Sequence, residues 1–136
     1  MCIIQKEALL CIRTGGGYEE NKNLFLSYVD YYKNSVSELN KCIKECVSQH
    51  KSVYVFGAHI FTQLLLNMGL DLRNISGILD NDPNKQNKRL YGSSLVVESP
   101  AVLKDKNAAV ILKCGAYNDE IRRGILVMNQ NIIFFE

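Results

Sequence analysis

The residues best equipped for chemistry fall in three short stretches: Gly57-Ala58-His59, Asp80 to Lys85, and Lys113 to Asn118. Gly57 follows an apolar run and precedes an amphipathic one, so it permits a tight turn that a side chain would obstruct. Ala58, His59 and Ile60 then open a helix, whose unsatisfied N–H groups and dipole favour an anion. A dinucleotide fingerprint would carry glycine again at positions 59 and 62, but His59 and Thr62 stand there. The first blocks the approach of a pyrophosphate to bare backbone, and the second holds helix and strand further apart. An intact NAD site is therefore not expected. His59 either donates to a phosphate or carboxylate, or serves as a capping or solvent-facing histidine.

Asp80 lies about 20 residues beyond Gly57, where an open parallel sheet places the carboxylate that accepts ribose hydroxyls. Asp80-Asn81-Asp82-Pro83-Asn84 is also a good turn former, and the two readings are compatible. Lys85, Lys88 and Arg89 follow closely and weigh against a bound cation. In the third stretch Gly115 gives another tight turn, Asn118 is a natural helix cap, and Glu120 suits the first turn. Cys114, near that helix start, is placed for a lowered pKa. No second histidine or acid is identifiably positioned to make it half of a nucleophilic pair.

The elements that must position these stretches are legible as alternating patterns. Short apolar runs at Val53–Phe56, Ile75–Leu79, Leu95–Val97, Ala108–Leu112 and Ile132–Phe135 read as strands. Helical stretches separate them at Ile60–Met68, Ala101–Lys104 (opened by Pro100) and Tyr117–Asn129. This alternation predicts an α/β, Rossmann-like three-layer sandwich with about five parallel strands. Right-handed crossovers would place the second and third strands on one side of the first, and the fourth and fifth on the other. A long helix precedes the sheet over residues 23–50, with Phe25, Tyr28, Tyr32, Val36, Leu39, Ile43 and Cys46 forming one apolar stripe. Such a helix overhangs a domain of this size and is expected to pack on another chain or domain. Residues 1–22 read as a leader with two short apolar runs, Cys2–Ile4 and Ala8–Ile12, and a flexible glycine-rich linker. The remainder, 51–136, is the sheet domain.

The totals narrow the classes. At 136 residues, 47% apolar and 22% charged, the chain is one ordinary globular unit. A net charge of +2 without a Lys/Arg stripe argues against nucleic acid, and no apolar run approaches a membrane span. Five cysteines, with no recognisable secretory signal, indicate reduced thiols and a cytoplasmic location. Cys42 and Cys46 share a helix face, but two thiols are at most half a zinc site, so they read as buried small hydrophobes.

The segments "VYVFGAHIFTQLLLNMGL", "ILDNDPNKQNKRLYGSSLVVESPAVL" and "YNDEI" together resemble the C-terminal domain of sugar C-methyltransferases. The matching features are Gly57-Ala58, then Asp80 or Asp82 with Pro83, Lys85 and Gly92, then Pro100, then Asn118, Glu120 and Ile121. Their order, and the long leading helix, carry the resemblance over about residues 23 to 136. It implies a Rossmann-like domain that helps to hold a nucleotide-linked sugar, beside a separate domain that binds S-adenosylmethionine and performs the methyl transfer. No methyl-donor signature is found here, so no cofactor is expected within this chain, which reads as a piece or a free-standing relative of such an enzyme.

The candidate ligand-binding residues are Gly57, Ala58, His59, Asp80, Asn81, Lys85, Lys113, Cys114, Tyr117 and Asn118; no catalytic residue and no metal ligand is assigned. The expected partners are a nucleotide or nucleotide-sugar, a methyltransferase domain and a second copy of the chain. The setting would be bacterial deoxysugar or surface-polysaccharide synthesis. The alternatives are a ligand-free oligomerisation scaffold and a small NAD-dependent enzyme.

Overall fold

A computed structural model describes residues 17–136. The expected strands at 2–4 and 8–12, residues 14–16 of the flexible linker expected over 14–23, and Cys2 and Cys11 lie outside the described residues; residues 18–23 of that linker are helical instead. Helix α1 runs from Tyr18 to Ser48, starting five residues before the periodic stripe predicted it. The difference has a local cause: Glu19 and Glu20 sit in the first turn, where they favour the dipole, and the Glu20 carboxylate accepts the Gly17 N–H at 3.3 Å. At the other end His50 adopts a left-handed conformation (φ 57°). The His50 and Lys51 N–H groups then reach back to the Val47 and Cys46 carbonyls at 3.0 and 2.9 Å, closing the helix in a Schellman arrangement.

Five strands follow: β1 (Ser52–Phe56), β2 (Gly77–Leu79), β3 (Val97–Glu98), β4 (Ala108–Leu112) and β5 (Ile133–Phe135). All pair in parallel, in the order β3-β2-β1-β4-β5. The strand arrangement is the one that right-handed crossovers predicted. Helix α2 (Ile60–Asn67) links β1 to β2, and helix α3 (Asn118–Met128) links β4 to β5. The expected short helix after Pro100 is a 3-10 turn, Pro100–Leu103, with the Ser99 hydroxyl accepting the Ala101 N–H. Three residues per turn suits a connection this brief.

Strands buried on both faces need apolar residues throughout, and β4 is AAVIL with every residue buried. Alternation along β1 divides the core into two layers. Val53 and Val55 face Val36, Leu39, Ile43 and Cys46 of α1 and Leu65 of α2. Tyr54 and Phe56 face Leu103, Ile125 and Ile132 on the other side. Asn40 fastens α1 to the turn after α2: its side chain donates to the Gly69 carbonyl at 2.9 Å and accepts from the Asp71 N–H at 2.8 Å. The buried residues of α1, Val36, Leu39, Ile43 and Cys46, all lie in its second half. Tyr18, Phe25 and Leu26 in its first half are exposed, so the helix overhangs the sheet as its length predicted.

Candidate functional site: a crevice where strand order reverses

Strand order reverses between β1 and β4, and in open parallel sheets this is where the carboxyl ends of neighbouring strands part to leave a crevice. A cavity of about 560 Å³ lies there. Its lining includes Gly57, His59, Asp80, Asn81, Lys85, Cys114 and Tyr117, seven of the residues singled out from sequence.

Asp80 organises this end of the sheet. One carboxylate oxygen accepts the Ala58 N–H at 2.8 Å and the Lys85 ammonium at 3.0 Å; the other accepts the Asp82 N–H at 2.9 Å. The Gln86 amide donates to its backbone carbonyl at 2.9 Å. Burial pushes this carboxyl up, but the Asp82 and Ala58 N–H groups and the Lys85 ammonium outweigh it and hold the pKa below the ordinary carboxylate range. A carboxylate offers about four lone-pair sites, and three are taken. The free α2 terminus and the acceptor for two ribose hydroxyls, both expected from sequence, are therefore partly spent on each other. Lys85 retains donors: its ammonium has three, and its side chain is 42% exposed.

Gly57 has φ +103°, which explains the glycine, and a second demand reinforces it. The His59 ring folds back over Gly57 and fills the space that a Cβ would occupy. The imidazole thus covers the backbone that a dinucleotide's pyrophosphate would approach. Burial and the nearby Lys85 charge lower the His59 pKa, against an opposing effect of Asp80, so the ring is neutral at pH 7. Thr62, where a dinucleotide fingerprint has glycine, is packed between α2 and the turn after β1. It is 1% exposed, and its hydroxyl donates to the Gly57 carbonyl at 2.5 Å, tying the helix to the turn.

Cys114 departs from expectation twice. Burial raises its pKa, the reverse of the lowering anticipated near a helix start. It also has a histidine neighbour that sequence reasoning missed: His59 Nε2 lies 3.4 Å from Sγ, bridging positions far apart in the chain. The thiol lies 3.4 Å from the Phe56 carbonyl, which accepts from it. A protonated thiol beside a neutral imidazole is a packed polar contact, not an activated nucleophile.

Lys113 and Asn118 do not join Asp80. They border a separate cavity of about 310 Å³ on the α1 side of β4, with Tyr31, Tyr32, Phe61 and Glu136. Burial lowers the Lys113 pKa, opposed by Glu136. Asn118 does not cap α3 with its side chain; its carbonyl oxygen accepts the Cys114 N–H at 2.9 Å and closes the preceding 3-10 turn, Gly115–Tyr117. Ala58 contributes its N–H to Asp80 and does not line the crevice. The α3 wall is formed by Glu120 and Ile121, read from sequence only as the start of a helix, and by Gly124, Ile125 and Met128, which sequence reasoning did not single out. Their three- and four-residue spacing was the available signal. Among the described residues no three His, Cys, Asp or Glu side chains converge as metal ligands, and no helix is long and apolar enough to cross a membrane.

The family model described as the C-methyltransferase C-terminal domain matches residues 17–130, spanning the end of the leader, α1, the crevice and α3. The chain belongs to that family. The match begins within one residue of the start of α1, so the overhanging helix is an integral part of this C-methyltransferase C-terminal domain. No curated protein and no solved structure gives a significant match.

Proposed function

We propose that this C-methyltransferase C-terminal domain holds a nucleotide-linked sugar in the crevice between β1 and β4, while a separate domain binds S-adenosylmethionine and transfers the methyl group. The observation that carries the reading is Lys85, a half-exposed ammonium with unused donors at the rim of a ligand-sized cavity, anchored by a buried carboxylate. The phosphates meet Lys85 and the first turn of α2; the remaining acceptor site of Asp80, with Asn81, meets ribose or sugar hydroxyls. The exposed Tyr18, Phe25 and Leu26 of α1 suit docking against the methyltransferase domain or a second copy. Deoxysugar or surface-polysaccharide synthesis in a bacterial cytoplasm is the setting that fits such a substrate.

Calorimetric titration with UDP-, GDP-, CDP- and dTDP-linked sugars tests the reading. One of them binds, and Lys85→Ala weakens that binding about ten-fold or more, as expected for loss of a charge-assisted contact. Absence of binding by all four at millimolar concentration overturns independent recognition by this domain.

A further inference from the structure

Gly124 occupies the interior of α3, where glycine weakens a helix relative to alanine. The fold supplies no steric reason for it. A Cβ built at this position meets no heavy atom within 4 Å, and the residue is exposed. What Gly124 does border is the crevice. Ile121, Ile125 and Met128 flank it on the same helix face, and Pro100 also lines the cavity. The result is a strip of bare peptide between apolar side chains. A flat ring needs such a surface to reach van der Waals contact, and any side chain at position 124 would stand in its way.

Charge sets the direction of a bound ligand. Among the described residues lining the crevice, Lys85 is the cation and offsets the Asp80 carboxylate paired with it, whereas the α3 wall carries the carboxylate of Glu120. Phosphate is attracted to Lys85 and repelled by Glu120. We propose that the α3 strip opened by Gly124 seats the nucleobase of the bound nucleotide, with ribose and phosphates running toward Asp80 and Lys85. This rests on the nucleotide reading above and adds which wall takes the base and which residue admits it.

Binding of UDP, dTDP, CDP and GDP is measured by calorimetry on the wild type, Gly124→Ala, Gly124→Leu and, as a control elsewhere on α3, Val127→Ala, a residue 87% exposed. Gly124→Ala is expected to raise the melting temperature while lowering nucleotide affinity. Gly124→Leu lowers affinity by about ten-fold or more, the scale at which one misplaced apolar group discriminates in a pocket. Val127→Ala binds as the wild type does. Opposite signs for fold stability and affinity separate a ligand-facing glycine from a structural one. Wild-type affinity in Gly124→Leu, or an equal loss in Val127→Ala, overturns the base-seat assignment while leaving nucleotide binding intact. Failure of all four nucleotides to bind the wild type overturns the nucleotide reading itself.

Discussion

Asp80 satisfies the turn after β1 and the turn after β2 with one carboxylate, and that double duty explains why it is ionised despite burial. Its neighbour His59 is held in the opposite sense, neutral because burial and Lys85 both penalise the imidazolium. A histidine whose pKa is depressed by folding binds its proton more readily in the unfolded chain. Its contribution is complete above the unfolded value of about 6.5 and is lost as pH falls from there through the lowered folded value. Stability measured by urea unfolding is therefore expected to decline below about pH 6.5. His59→Gln, which does not titrate, flattens that part of the profile; an unchanged slope would show that another group dominates it.

Helix α1 behaves as two halves with different dependence on the fold. At 31 residues it spans roughly 45 Å at 1.5 Å per residue, longer than the strands it lies against. Ile43, fully buried against β1, belongs to the half that packs; Phe25, 65% exposed, belongs to the half that does not. Ile43→Ala is expected to cost about 2–5 kcal/mol through lost burial and a residual cavity. Phe25→Ala changes the unfolding free energy by no more than about 0.5 kcal/mol. Denaturant titration of both variants checks the contrast, and a large loss at Phe25 would mean that the overhang is packed in solution. Light scattering on Phe25→Ala then reads whether that packing is intermolecular.

At the scale of the whole molecule, the crevice opens where β1 and β4 separate, because connections leave toward opposite faces there and neither covers the gap. Cys114 lies at this point and borders the cavities on both sides of the sheet. Cys42, half-buried on α1, is remote from the crevice lining and serves as an internal reference. Saturating nucleotide-linked sugar is expected to slow alkylation of Cys114 by iodoacetamide without affecting Cys42, as read by mass spectrometry. With its pKa raised, Cys114 reacts slowly at neutral pH, since the thiolate is the nucleophile. Equal reactivity of Cys114 with and without a bound ligand would move the ligand out of this crevice.

Periodicity alone determined the layered fold of this protein. The five strands, their order and the overhang of α1 follow from apolar runs, helical stripes and the handedness of crossovers, which are local or nearly universal. Gly57 and Asp80 were also legible, because strand ends in such a sheet have fixed neighbours, and Lys85 through the family resemblance. Tertiary structure decided what local pattern cannot carry. The His59–Cys114 contact joins two turns distant in sequence, and Asp80 is committed to backbone N–H groups that only folding brings near it. Lys113 and Asn118 border the other cavity, where the Asn118 side chain folds back onto the Cys114 N–H, so a group's place in sequence near the crevice did not put it inside. The α3 wall escaped notice for a related reason: its residues are ordinary helix positions, and only the packing of α3 against Phe56 and Leu103 gives one face a cavity to line.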